Sequence, residues 1–144
     1  MITLIPGSGT DTLLFGMIPD AVLKQLGQPN DQYLDEDDNP IWLYHDKQLK
    51  LTFYAEEGDR FGYLVTTHPK ATLFGYSVIG QTFDSLKKQL QSKRITQWET
   101  EFREGVYHHF NEDHWIQLWE EFGVITRIEL GALIKNLDEF DWKV

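Results

Sequence analysis

The chain has 144 residues, with 23 acidic and 13 basic side chains and no cysteine. A formal net charge of −10 disfavours a nucleic-acid phosphate backbone or an anionic membrane surface as partner. The absence of cysteine excludes disulfides, thiolate catalysis and cysteine-ligated zinc.

The proportion of hydrophobic residues, 41%, is typical of a folded protein, and we predict a single domain over residues 1–144. The N-terminal segment lacks the basic and apolar regions of a secretion signal. No apolar run is long enough to cross a bilayer. We therefore expect a cytoplasmic protein.

The first predicted unit, residues 12–67, is a helix followed by three strands. Pro19 suits the first helical position, and the sequence Gly-Gln-Pro at 27–29 ends the helix. The apolar residues between them recur at helical spacing: Val22, Leu23 and Leu26. After an acidic loop, three segments have the pattern of strands: Ile41–His45, Leu49–Ala55 and Phe61–Thr67.

The second predicted unit, residues 72–130, follows the same order. Thr82 is a candidate N-cap, and Leu86 and Leu90 supply an apolar helical face. The strand-like segments that follow are Thr96–Phe102, Val106–Phe110, Trp115–Phe122 and Val124–Leu130. The tail, residues 131–144, is predicted to contain a last short helix.

The two units share a short sequence motif, because Leu-Phe-Gly occurs near the start of both, at Leu14 and at Leu73. In each, an Asp, an aliphatic residue, a Gln and a Leu follow in matching positions of the helix. A repeat of this length predicts an architecture of duplicated units. We therefore predict an α+β fold: two tandem α-β-β-β repeats that form one continuous curved antiparallel sheet with the helices packed on one face.

Alternation within the strands predicts two unlike faces. In Leu49–Ala55 the aliphatic side belongs under the helices, and Tyr54 lies on the other side with polar neighbours. The face that the helices leave uncovered is predicted to be aromatic and polar, as in an interface. Its candidate partner-binding residues are Tyr54, Trp115, Trp119 and Glu121, together with Trp42, for which packing within the unit is an equal alternative.

Three acidic segments are candidates for contact with a basic partner, since opposite charges speed encounter. They consist of Asp35, Glu36, Asp37 and Asp38, of Glu56, Glu57 and Asp59, and of Glu112 and Asp113. The first segment is equally compatible with a solvated loop, and the net charge with a need for solubility alone.

Patterns that indicate catalysis or metal binding are weak. His108 and His109 are adjacent on a strand and must point to opposite faces, so we predict no metal site and a hairpin turn flanked by surface histidines. No serine lies in a Gly-x-Ser-x-Gly elbow, and the glycine-rich Pro6–Asp11 lacks the lysine of a phosphate loop and reads as a flexible connector. We predict no enzymatic activity and no cofactor.

The first unit resembles the helix-then-strand signature of the SmpA/BamE-like lipoproteins. There a Gly precedes a helix that ends in Leu-Gly-x-Pro, and a Trp-x-Tyr strand follows. The matching residues here are Gly16, Leu26, Gly27, Pro29, Trp42 and Tyr44. Two such units in tandem resemble the β-lactamase-inhibitor-protein (BLIP-like) architecture, which implies a sheet that grips another protein. The second unit lacks the Gly-x-Pro, and the absence of cysteine argues against a lipoprotein anchor or a secreted inhibitor.

The sequence-based hypothesis is a bacterial immunity protein that occludes the active surface of a cognate basic toxin or effector domain. The alternative is a cytosolic adaptor, chaperone or assembly module for a secreted or envelope protein. The sequence leaves the oligomeric state open.

Overall fold

The computed structural model describes residues 2–144, and strands dominate this part of the chain. Strands hold 45% of the residues and helices 14%. The fourteen strands are β1 (Ile2–Ile5), β2 (Gly9–Thr10), β3 (Asp31–Leu34), β4 (Pro40–Tyr44), β5 (Leu49–Tyr54), β6 (Arg60–Thr66), β7 (Ala71–Leu73), β8 (Tyr76–Ser77), β9 (Glu99–Arg103), β10 (Val106–Asn111), β11 (Ile116–Glu121), β12 (Val124–Gly131), β13 (Ile134–Asn136) and β14 (Glu139–Phe140). The helices are α1 (Pro19–Leu26), α2 (Phe83–Gln91) and one 3-10 turn, Ala55–Glu57.

The predicted α+β fold of two α-β-β-β repeats is therefore wrong. The strands form three sheets, with β2-β1-β7-β8, β3-β4-β5-β6-β12-β11-β10-β9 and β13-β14 as neighbours. The prediction missed the four-stranded sheet and the final hairpin, and it counted strands incorrectly. It also assumed that helices alone cover one face, whereas a second sheet shares that role.

Local residues fix both ends of α1 and the start of α2. Pro19 occupies the start of α1, and Gly27 ends it with a positive φ of 78° and an amide that donates to Leu23 O. The Thr82 hydroxyl accepts a hydrogen bond from the Ser85 amide, which confirms the predicted N-cap of α2. Val22 of α1 and both Leu86 and Leu90 of α2 are fully buried.

Three predicted loops or helices have a different structure. The predicted connector Pro6–Asp11 belongs to a β1–β2 hairpin, in which Leu4 lies opposite Thr10. The predicted acidic loop begins with strand β3, whose residues are all exposed and pair with β4. The predicted tail helix is the β13–β14 hairpin. In each case the segment is short and its apolar residues lack the periodicity that reveals a strand.

One hydrophobic core lies between the eight-stranded sheet and the opposite layer. The sheet contributes Leu51, Phe53, Leu118 and Ile128, among others, and the predicted aliphatic face is thus buried. The opposite layer contributes Leu4 of β1, Leu73 of β7 and the buried helical residues. The two helices are only 8 and 9 residues long, so the four-stranded sheet supplies the remaining cover.

Aromatic rings on the face of the large sheet that turns away from the core pack against glycines of neighbouring strands. A methyl group at Gly62 would overlap the ring of Tyr54, and one at Gly131 would overlap the indole of Trp115. These glycines lie outside the left-handed region, so space and not backbone geometry excludes a side chain.

We expect Gly131→Ala to lower the free energy of unfolding by about 1–3 kcal/mol, because the new methyl group displaces Trp115. Urea denaturation measures this change. The matched control is Gly131→Ala in a Trp115→Ala background, where the overlap is gone and the loss should shrink. Equal losses in both backgrounds would contradict the packing argument.

Candidate functional site

Strand order and register place the three predicted acidic segments at one end of the eight-stranded sheet. The β3–β4 turn (35–39), the β5–β6 turn (55–59) and the β10–β11 turn (112–115) all join strands at this end. The three turns contain no Lys or Arg. We call them the acidic turns; their carboxylates belong to Asp35, Glu36, Asp37, Asp38, Glu56, Glu57, Asp59, Glu112 and Asp113.

A hydrogen-bond network fixes the first two acidic turns to each other. The Asp35 carboxylate accepts from the backbone amides of Asp37 and Asn39, each at 2.9 Å. The Asn39 side-chain oxygen in turn accepts from the Ala55 amide at 2.9 Å. The Asn39 amide, with further hydrogen bonds, lowers the pKa of Asp35. Asp35 therefore holds the loop, while Asp37 and Asp38 present their carboxylates to solvent.

Two pockets adjoin at this end and share Glu57 and Phe140. One, of about 360 Å³, is lined by Asp37, Asp38, Asn39, Tyr54, Glu56, Glu57 and Phe140. The other, of about 340 Å³, is lined by Glu57, Lys135, Asp138, Glu139, Phe140, Asp141 and Trp142. We call the pair the acidic groove. The final hairpin, which sequence reasoning predicted as a helix, supplies one of its walls.

The floor of the acidic groove is aromatic. The ring centroids of Tyr54 and Phe140 lie 5.3 Å apart, and those of Phe140 and Trp142 lie 4.8 Å apart. Burial, with the nearby negative charge of Asp35, raises the pKa of Tyr54 to about 12, so Tyr54 is neutral at physiological pH. Carboxylates above aromatic faces form a site that suits the cationic head of a Lys or Arg.

The face of the large sheet that turns away from the core, the open face, carries a polar cluster at its centre. The Tyr63 hydroxyl donates a hydrogen bond to the Glu129 carboxylate. Glu129 Oε2 also lies 3.0 Å from Arg127 Nε in an ion pair that lacks the geometry of a hydrogen bond. The Arg127 guanidinium lies 4.0 Å from the ring centroid of Trp119. Glu129 is only 6% exposed, and burial and its negative charge raise the pKa of Tyr63. The cluster joins β6, β12 and β11.

The remaining predicted site residues have varied surroundings. Trp42 is 7% exposed and packs edge-on against Phe53 at 4.7 Å, so it belongs to the core and is unavailable to a partner. Trp115 and Trp119 are half-buried on the open face. Glu121 accepts from Thr126 at 2.7 Å and lies at the end of the sheet far from the acidic turns.

The histidines of the predicted hairpin are buried, which corrects the prediction that they lie on the surface. They point to opposite faces as predicted: His108 contacts Trp119, and His109 stacks on Phe83 at 3.6 Å. His109 bonds Thr100 at 2.8 Å and Glu120 at 2.7 Å, so it links three strands through both ring nitrogens. Within residues 2–144, no three His, Asp or Glu side chains are grouped to hold a metal ion.

No protein-family model and no curated protein matches the chain. Among solved structures, the chain is similar to the 1.5 Å crystal structure of an extracellular protein containing a SCP domain from Bacillus anthracis str. Ames. The TM-score is 0.54 at 12% identity, over 80% of this chain. The match spans 43% of that structure, and at this identity the likeness shows the fold alone. No helix in residues 2–144 is long and apolar enough to span a membrane.

We expect Asn39→Ala to speed hydrogen exchange at the Ala55 amide, because the bond that fixes the two turns is lost. The free energy of unfolding should fall by about 0.5–1 kcal/mol. The control is Glu36→Ala, an exposed neighbour, which should leave exchange at Ala55 unchanged. Equal exchange rates in the two variants would show that the turns are not held by Asn39.

Proposed function

We propose that the chain is a non-enzymatic binding protein whose acidic groove and open face receive a basic protein partner. The observation that carries this proposal is the contact between the first two acidic turns beside an aromatic floor, with the third acidic turn at the same end of the sheet. A Lys or Arg of the partner would lie between Glu56 or Glu57 and the rings of Tyr54 and Phe140. Such contacts combine charge attraction with a cation–π interaction.

Within this proposal, the chain acts by occlusion as an immunity protein in the bacterial cytoplasm. A toxin domain that acts on an anionic substrate exposes basic residues, and the acidic turns would cover them. The charges would speed association at low salt, while buried aromatic contacts would slow dissociation.

A second candidate function is an adaptor or chaperone for a secreted or envelope protein. Both edge strands of the large sheet, β3 and β9, have only exposed residues. An exposed edge has unpaired backbone groups that accept an extended segment of another protein. In this mode the main chain of β3 or β9 carries the affinity, and the acidic turns contribute little.

Charge reversal at the acidic groove tests the proposal. We expect the double variant Asp37→Lys, Glu56→Lys to lose most of the basic protein that the native chain captures from its source cells at low salt. Mass spectrometry of the captured material measures this loss. The matched control is Asp11→Lys, Asp46→Lys, which changes the net charge equally at exposed sites outside the acidic turns and should retain capture.

Growth measurements then separate the two functions. If the captured domain is a toxin, its expression should arrest growth, and coexpression of the native chain but not of the groove variant should restore it. A captured protein that is harmless favours the adaptor function. Equal capture by the groove variant and its control would contradict binding through the acidic groove.

A further inference from the structure

A separate pocket of about 440 Å³ lies on the open face, at the end of the sheet opposite the acidic turns. Arg103 and Glu104, both exposed, form its outer wall, and Val106, His108 and Trp119 form the rest. Register places Val106 and Arg103 opposite each other beside the β9–β10 turn. This pocket shares no residue with the acidic groove.

Two polar atoms of the pocket residues have no hydrogen-bond partner among the described residues. They are His108 Nδ1 and Trp119 Nε1, and both are enclosed. The His108 side chain belongs to a residue that is only 8% exposed, and the two rings meet edge-to-face with centroids 4.7 Å apart. A buried polar atom without a partner destabilises the free protein, so a ligand that pairs both atoms gains affinity.

The chemistry of the two atoms is complementary. Indole Nε1–H only donates. Burial, with the neighbouring charge of Arg103, lowers the pKa of His108, so its imidazole is neutral near pH 7. With the imidazole proton on Nε2, Nδ1 accepts. The two enclosed nitrogens therefore comprise one donor and one acceptor.

The charges around the pocket do not favour an anionic ligand. Arg103 pairs with Glu101 at 3.3 Å, and Arg127, which stacks on Trp119, pairs with Glu129. Glu104 on the wall has no counterpart among these pairs. A neutral ligand with both a donor and an acceptor fits this balance better than a carboxylate does.

We propose that this pocket binds a carboxamide group. The amide oxygen accepts from Trp119 Nε1–H, an amide N–H donates to His108 Nδ1, and the apolar part of the ligand packs on Val106. Binding requires side chains of the pocket to move away from the two enclosed nitrogens, and the exposed Arg103 and Glu104 are the lining residues that are freest to do so. The group is carried either by a small amide compound or by an Asn or Gln side chain of a protein, and neither source depends on the acidic groove.

Nuclear magnetic resonance of the indole N–H groups tests the proposal on the full chain. The five tryptophans give five resonances, and the one that is absent from the Trp119→Phe variant belongs to Trp119. We expect benzamide to shift the Trp119 resonance saturably with a Kd of roughly 1–10 mM, a range typical of fragments. Benzoate, its charged isostere, should cause no saturable shift, and the Trp115 resonance should not move with either.

Capped peptides distinguish the two sources. Acetyl-Ala-Gln-Ala methyl ester should shift the Trp119 resonance more than acetyl-Ala-Glu-Ala methyl ester if protein side chains are the ligand, because only the first carries a primary carboxamide. Benzamide binding without any difference between the peptides assigns the pocket to small amides.

Two variants test the acceptor and the apolar wall of the pocket separately. His108→Leu removes the acceptor, and Val106→Phe fills the floor from a half-buried position that tolerates the change more readily. Each should weaken benzamide binding at least tenfold. Binding that survives Val106→Phe unchanged, a benzoate midpoint equal to that of benzamide, or no saturable shift with benzamide would each overturn the proposal.

Discussion

The antiparallel pair of β6 and β12 is the contact on which the rest of the molecule depends. Leu64 lies opposite Leu130, and Thr66 lies opposite Ile128, so the pair contributes to the buried face. On the open face, Tyr63 of β6 bonds Glu129 of β12 through the same register. Because this pair joins the strands before residue 67 to those after residue 98, it brings distant acidic turns to one end of a single sheet. A shift of one residue would turn Glu129 into the core, at a cost that an unpaired buried carboxylate makes prohibitive.

The distribution of charge over the sheet separates two kinds of site. Like charges that are crowded into the acidic turns repel one another, and their hydrogen bonds only partly offset this repulsion. The Asp35 carboxylate accepts hydrogen bonds within its own turn. The carboxylates of Asp37, Glu56 and Glu57 remain available to a partner around the aromatic floor. At the opposite end Arg103 is paired with Glu101, and the enclosed nitrogens of His108 and Trp119 belong to neutral groups. A basic partner and a neutral amide are thus suited to opposite ends of one face.

The sequence predicted the local elements better than their assembly. Pro19, Thr82 and the alternation in Leu49–Tyr54 act within a few residues, so their consequences are visible in the sequence. The four-stranded sheet could not be predicted, because β1 pairs in parallel with β7, some seventy residues away, and no local sequence pattern indicates such a pairing. Its strands are also short, with 2 to 4 residues each.

The same reasoning applies to the sites. Acidic turns were predictable, because a hairpin turn is a local feature, and their shared end follows once strand order is known. The role of Phe140 and Trp142 was not predictable, since the tail returns to Tyr54 only in the tertiary structure. For Trp42 the sequence favoured an interface and packing within the unit equally, and its position opposite Leu51 places it in the core. The enclosure of the His108 and Trp119 nitrogens results from the cross-strand register, which the composition of the chain does not reveal.

Hydrogen–deuterium exchange of the chain with and without its captured basic partner tests the central claim most directly. The account predicts slower exchange in the three acidic turns and in the final hairpin, Ile134–Phe140, with little change in the two helices. Protection confined to α1, α2 or the four-stranded sheet would place the partner on the other side of the molecule and contradict the account.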